Sequence, residues 1–209
     1  MSRLLFLALW SIFIMTSTPS SAQVAVDSKY PNPENILMME TTKGPVVIRM
    51  MPDVAPGHVE RIKTLTSQGF YDGVVFHRVI DGFMAQTGDP TGTGTGGSDL
   101  PDLNAEFNPT NFGRGVVGMA RTNDPNSANS QFFICFDDCS FLNNQYTVWG
   151  EVIEGMENVD SLNRGEPPAQ PDKVTSMKLA APIAPAMENE THMSTETTTS
   201  TVTTETVTE

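Results

Sequence analysis

Between residues 36 and 180 the chain sets one short apolar run after another between breaks rich in Gly, Pro, Asn and Asp, and this pattern constrains its fold more than any other feature. Runs at 36–40, 46–50, 74–80, 83–87, 116–121, 132–136, 146–152 and 174–179 have strand character. Only two stretches read as helices. One covers 55–68, with Val59, Ile62 and Leu65 on one side and Pro56 suited to a first turn. The other starts at Met156, carries Val159 and Leu162 on one side, and is stopped by Asn163-Arg164-Gly165 and Pro167-Pro168. Eight short strands with two short helices predict a mainly β fold: a closed eight-stranded antiparallel barrel, whose closure removes unpaired edges, capped at its open ends by the helices. No internal repeat points to a solenoid or propeller. The long connections at 88–115 and 122–130 are where ordered loops are expected to carry function.

The ends differ in kind from the middle. Residues 1–22 hold a single charge at Arg3, an apolar run from Leu4 to Met15 and a polar finish at Ser20-Ser21-Ala22, the layout of a signal peptide cleaved after Ala22. That run is about half of the ~20 residues a spanning helix needs. Residues 23–35 read as an N-terminal extension and 36–180 as the folded domain. Residues 181–209 collapse to Thr, Glu, Ser, Pro and Met without Lys or Arg, so they read as a disordered acidic tail that cannot bury a core. Asn189-Glu190-Thr191 matches a glycosylation acceptor, which matters only in a eukaryotic secretory pathway. The expectation is an exported monomer, periplasmic or secreted, with no integral membrane segment after cleavage. A total of 25 acidic against 12 basic side chains, a net charge of -13, disfavours attraction to phosphate backbones and anionic lipid headgroups, so no nucleic acid partner is expected and membrane surfaces are poor partners.

Export permits disulfides, yet only Cys135 and Cys139 are present. In an extended segment their Cα atoms would stand roughly 13 Å apart, beyond the ~7 Å limit of a bridge. One core thiol and one loop thiol, unbridged, are expected. No second cysteine pair or nearby histidine completes a metal site, so no metal or cofactor is expected. Of the histidines, His58 is expected on an exposed helix face, His77 buried or half-buried in a strand, and His192 in the tail. Without a Gly-x-Ser-x-Gly elbow or a partnered Cys/His pair, covalent catalysis has no support. Gly92-Thr93-Gly94-Thr95-Gly96-Gly97 matches dinucleotide spacing, but Ser98 to Leu103 is a poor helix start, so the glycines read as tight turning.

What remains is Phe76-His77-Arg78-Val79-Ile80-Asp81-Gly82-Phe83-Met84-Ala85-Gln86-Thr87-Gly88-Asp89, followed by Gly115-Val116-Val117-Gly118-Met119-Ala120, Ser130-Gln131-Phe132-Phe133-Ile134, Phe141-Leu142 and Thr147-Val148-Trp149-Gly150. These blocks resemble the cyclophilin family of peptidyl-prolyl cis-trans isomerases, over about residues 36–180. The family fold, an eight-stranded antiparallel barrel with two capping helices, agrees with the strand count above. The resemblance implies an enzyme that uses no cofactor and acts on proline-containing peptides and unfolded or flexible client proteins. A binding module that grips proline-containing loops without turnover is the rival reading.

Carried over position by position, the resemblance places the catalytic residues at Arg78 and Gln86. It places the substrate-binding residues at Phe83, Met84, Ala120, Gln131, Phe133 and Leu142, with the backbone of Arg121. Phe83, Met84, Phe133 and Leu142 would form an apolar cup for the proline ring, while Gln86 and Gln131 would hold the substrate backbone or orient Arg78. Where many eukaryotic members carry tryptophan and histidine at the rim, this chain has Phe141 and Tyr146. Phe141 lacks the indole N–H, which counts against tight binding of the family inhibitor cyclosporin; Tyr146 can still stack and donate a hydrogen bond. Arg121, in place of a small polar residue, adds charge beside the groove.

Overall fold

A computed structural model describes residues 29–181. The expected leader, residues 23–28 of the extension, and the tail from residue 182 with Asn189 and His192 lie outside the described residues. The eight expected strands are present as β1 (Ile36–Thr41), β2 (Gly44–Met50), β3 (Arg78–Ile80), β4 (Met84–Thr87), β5 (Val116–Met119), β6 (Phe132–Cys135), β7 (Val148–Glu154) and β8 (Val174–Leu179). The helices are α1 (Pro56–Ser67) and α2 (Met156–Asp160), with single 3-10 turns at Pro33–Asn35 and Ser140–Leu142. All strand pairs are antiparallel, in one sheet of order β3-β4-β6-β5-β7-β2-β1-β8.

The expected closed barrel is corrected by this order, because β3 and β8 are edges that share no ladder and the sheet curls only into a half-barrel. The cause is local. The 74–80 run does not stay in one strand: its first half leaves the sheet to meet the entry of β8, with Gly73 N–H donating to Val174 O (2.7 Å), Val174 N–H to Val74 O (2.9 Å) and Phe76 N–H to Asp172 O (2.8 Å). Three residues are left for β3, too few to ladder with β8, and a single bridge at Val75 and Lys173 spans the gap. The β3 edge is blunted by Gly165, which exchanges both backbone hydrogen bonds with Val79 at 2.8 Å each.

Successive side chains of a strand point to opposite faces, and β6 is buried on both. Phe132 and Ile134 enter the main core, with Leu37, Ile48, Trp149 and the α1 residues Val59, Ile62 and Leu65. Phe133 and Cys135 enter a second cluster with Met84, Phe112, Val116 and Leu142. This double burial is why the segment reads as an unbroken apolar run rather than an alternation.

His58 is buried, not on an exposed face. Its Nδ1 lies 2.6 Å from the Glu106 carboxylate, which also accepts the backbone N–H groups of Gly57 and His58 at 3.0 Å. An acid thus covers the start of α1, where the helix dipole favours negative charge. Burial lowers the affinity of His58 for a proton more than Glu106 raises it, and burial does the same at His77, against the pull of Asp89. Both imidazoles regain an ordinary value of about 6.5 on unfolding, so below that pH the unfolded chain binds more protons and stability falls with pH. The melting temperature is therefore expected to hold down to about pH 6.5 and to drop below it, and a flat profile would show that both rings charge within the fold.

Candidate active site

Register alone brings distant residues together. Arg78 pairs with Gln86 across β3 and β4, Gln86 with Phe133 across β4 and β6, and Phe133 with Gly118 across β6 and β5. These four form one row across four strands. The next row on the same face contains Ile80, Met84 and Cys135. The row requires a glycine at its end: a Cβ on Gly118 would stand 2.5 Å from Phe133 Cζ and 2.6 Å from Phe112 Cε1. The Phe133 ring lies there instead, stacked on Phe112 at 5.7 Å and 22° and met edge-on by Tyr146 at 5.7 Å.

Above this row opens a cavity of about 130 Å³. Phe83, Met84, Phe133 and Leu142 supply its apolar wall, and Arg78, Gln86, Ala120, Arg121 and Tyr146 complete it. Nine of the eleven residues expected in the site thus share one cup. The other two lie beside it. Gln131 lines an adjoining chamber of about 460 Å³, which shares Gln86, Ala120 and Arg121 with the cup. Phe141 stands at the rim, 61% exposed, its ring 5.3 Å from that of Phe83.

The family model for cyclophilin-type peptidyl-prolyl cis-trans isomerases matches residues 36–179, from the start of β1 to the end of β8. This chain belongs to the cyclophilin family. A probable peptidyl-prolyl cis-trans isomerase of Brucella suis is 45% identical over 191 residues, covering 81% of this chain and 97% of that protein. The human peptidyl-prolyl cis-trans isomerase-like 3 is 41% identical over 131 residues, covering 60% of this chain and 80% of its own length. Among solved structures, cyclophilin AquaCyp293 of Hirschia baltica superposes with a TM-score of 0.69 at 32% identity, covering 81% of this chain and 84% of that one. A Cryptosporidium parvum cyclophilin crystallised in the presence of the dipeptide Ala-Pro does so with a TM-score of 0.65 at 27% identity, covering 69% and 98%. The protein is a peptidyl-prolyl cis-trans isomerase of the cyclophilin type.

The polar half of this isomerase's cup is held by a chain of fixed donors. Gln131 Nε2 donates to Gly94 O (3.1 Å) and Gly96 O (2.8 Å), so its Oε1 must accept, and it takes the Nε2–H of Gln86 at 2.8 Å. The amide orientation of Gln86 follows from that chain. Gly94 and Gly96 are in turn fixed by Asp89, a buried carboxylate that accepts the N–H groups of Thr91 (2.7 Å), Gly94 (2.6 Å) and Gly96 (3.1 Å) and the Thr91 hydroxyl (2.7 Å). Burial would raise its proton affinity, but the hydrogen bonds from Thr91, Gly96 and Gly94 together hold it well below the usual carboxylate range.

The partner of Arg78 is Glu166 rather than either glutamine: Arg78 Nε donates to its carboxylate at 2.8 Å. The guanidinium carbon stands 5.9 Å from the Phe83 ring centroid and Nη1 4.0 Å from Met84 Sδ, so the far side of the group borders the apolar wall. Arg121 keeps its charge beside the groove but is tied in place. Its Nε and Nη2 donate to Gln145 O (3.2 and 2.7 Å), its Nη1 to Thr122 O (2.7 Å), and its guanidinium lies 4.4 Å from the Tyr146 ring centroid. It ties the loop after β5 to the rim.

Cys135 and Cys139 are unbridged and both buried, one in β6 and one in the following loop, where Cys139 Sγ lies 3.4 Å from Phe83 O. Burial pushes both thiols up, away from the thiolate. Among the described residues, no group of three His, Cys, Asp or Glu is placed to hold a metal ion, and no helix is long and apolar enough to cross a membrane. Glu166 and Asp89 were not singled out in the sequence. Asp89 had a signal in the Thr/Gly run that follows it, the composition of a loop wound around an acceptor. Glu166 had none, since its place is set by the Gly165–Val79 pairing.

Proposed function

We propose that this isomerase rotates X-Pro bonds in unfolded or flexible client proteins of an exported compartment, with Arg78 as the group that stabilises the rotated state. The peptide bond resists rotation by roughly 18–20 kcal/mol because C–N conjugation is lost on the way, and unaided X-Pro exchange takes tens to hundreds of seconds. In the twisted state the prolyl nitrogen becomes pyramidal and regains its lone pair. A positioned guanidinium donor binds that state better than either planar one. The observation that carries this reading is the placement of Arg78 beside an apolar cup wide enough for a proline ring. Gln86, with its N–H committed to Gln131, offers its carbonyl oxygen to the substrate backbone. Phe141, Ala120 and the Arg121 backbone contact residues flanking the proline.

Export rests on the layout of residues 1–22, and the Ala-Pro dipeptide named with the Cryptosporidium parvum relative supports proline peptides as ligands. The test is direct. The purified chain should accelerate cis-to-trans exchange in a short X-Pro peptide, and mass analysis of the exported form should show loss of residues 1–22. Peptide binding without accelerated exchange would instead identify a holdase, and a retained leader would refute export by cleavage.

A further inference from the structure

The residue that orients Arg78 comes from outside the strands of the cup. The loop 163–168 is pinned to β3 at several points: Gly165 exchanges two backbone hydrogen bonds with Val79, and Arg164 reaches Asp81 at 3.0 Å while its guanidinium lies 4.2 Å from the Phe136 ring centroid. Gly165 lets the loop turn back on itself there, with φ +148 and Pro168 Cα only 2.5 Å from where a Cβ would sit. The next residue, Glu166, is thereby delivered to Nε of Arg78. Loop and strand are locked independently of this ion pair, so the Glu166 backbone is held beside Arg78, and its side chain, 53% exposed, meets the guanidinium across that fixed spacing.

We propose that Glu166 is a positioning residue for the isomerase reaction, fixing the Arg78 guanidinium through Nε so that its Nη edge is presented to the prolyl nitrogen. The inference rests on the reading of Arg78 as the donor. An arginine on an edge strand samples many rotamers, and its side chain here is 39% exposed. Engaging Nε leaves the two Nη groups as the free donors, with Nη1 already at Met84 Sδ on the cup wall. Such orientation acts on the transition state, where a displacement of about 1 Å is costly, more than on peptide binding, which the apolar wall governs.

The test compares Glu166→Ala, Glu166→Gln and Arg78→Lys with the wild type in the full chain, by NMR exchange of an X-Pro peptide, peptide titration and the arginine 15Nε–Hε resonances. The Arg78 resonance is assigned by its loss in Arg78→Lys. Glu166→Ala is expected to reduce catalysed exchange about 3–10-fold, with the peptide Kd changed less than twofold and the Arg78 Nε resonance moved to the position of solvated arginines. Glu166→Gln, which keeps an acceptor without the charge, should fall between the two. Wild-type exchange in Glu166→Ala, or slowed exchange with an unmoved Nε resonance, would overturn the inference. If Arg78→Lys retains full activity, it is the arginine reading that fails; if it is impaired while Glu166→Ala is not, the role of Glu166 alone is refuted.

Discussion

Arg78→Ala is expected to lower kcat/KM for an X-Pro peptide about 100-fold, with peptide affinity changed less than tenfold. Removing one preorganised donor from a developing charge costs roughly 100- to 1000-fold in enzymes where the site is dry. The lower figure applies here because the Arg78 side chain is 39% exposed, so water partly screens it. The split between rate and affinity follows from the division of labour in the cup. Phe83, Met84, Phe133 and Leu142 meet the proline ring in both planar states and in the twisted one, so their contribution is uniform, whereas the arginine gains a partner only when the nitrogen becomes pyramidal. Arg78→Lys should be intermediate, since an ammonium restores charge without the planar fork that Glu166 holds at one edge. The variant should fold, because Arg78 is only partly buried and sits on a three-residue edge strand. Measured by NMR exchange, a rate for Arg78→Ala within twofold of the wild type would remove the arginine from the mechanism.

The extent to which such a site can be read from the chain depends on which interactions make it. Apolar runs announce the strands, and the family resemblance names Arg78, Gln86 and Phe133 within them; that these residues and Gly118 form one row follows from the strand order and register. Phe133 and Phe132 cannot be told apart by apolar pattern, since both faces of β6 are buried; the family resemblance picks out Phe133, and the register sets it beside Gln86. The closed barrel was misjudged because the 74–80 run looks continuous, while backbone hydrogen bonds at Gly73, Val74 and Phe76 divert its first half toward β8. His58 differs from expectation for a related reason: it is buried on α1, and its partner Glu106 lies 48 residues away in the chain. Arg121 was legible as a charge beside the groove but not as a strut, because its acceptors are backbone carbonyls, which any residue supplies. Side chains that act through backbone geometry leave little trace in composition.

Asp89→Asn should show how far that hidden framework supports the visible site. The wild-type carboxylate accepts on both oxygens from Thr91, Gly94 and Gly96, and an amide in its place must turn an NH₂ group toward at least one of these donors. Buried donors are then left unpaired, a loss of about 3 kcal/mol, which for a domain of this size lowers the melting temperature by roughly 6–12 °C. The cost should depend on pH in a definite direction. Because Asp89 holds its proton far less tightly in the folded chain than the ordinary value of about 3.9, its stabilisation is present above that pH and disappears as pH falls below it. The melting temperatures of wild type and Asp89→Asn should therefore stay apart from pH 7 down to about pH 4 and converge only on further acidification. Activity should fall as well, by about tenfold, although Asp89 lines neither cavity. Release of the Gly94 and Gly96 carbonyls frees Gln131 to turn, and Gln86 loses the acceptor that sets its orientation. A variant that melts early but isomerises normally at a temperature where it remains folded would show that the Gly/Thr loop stabilises the sheet without holding the polar half of the cup.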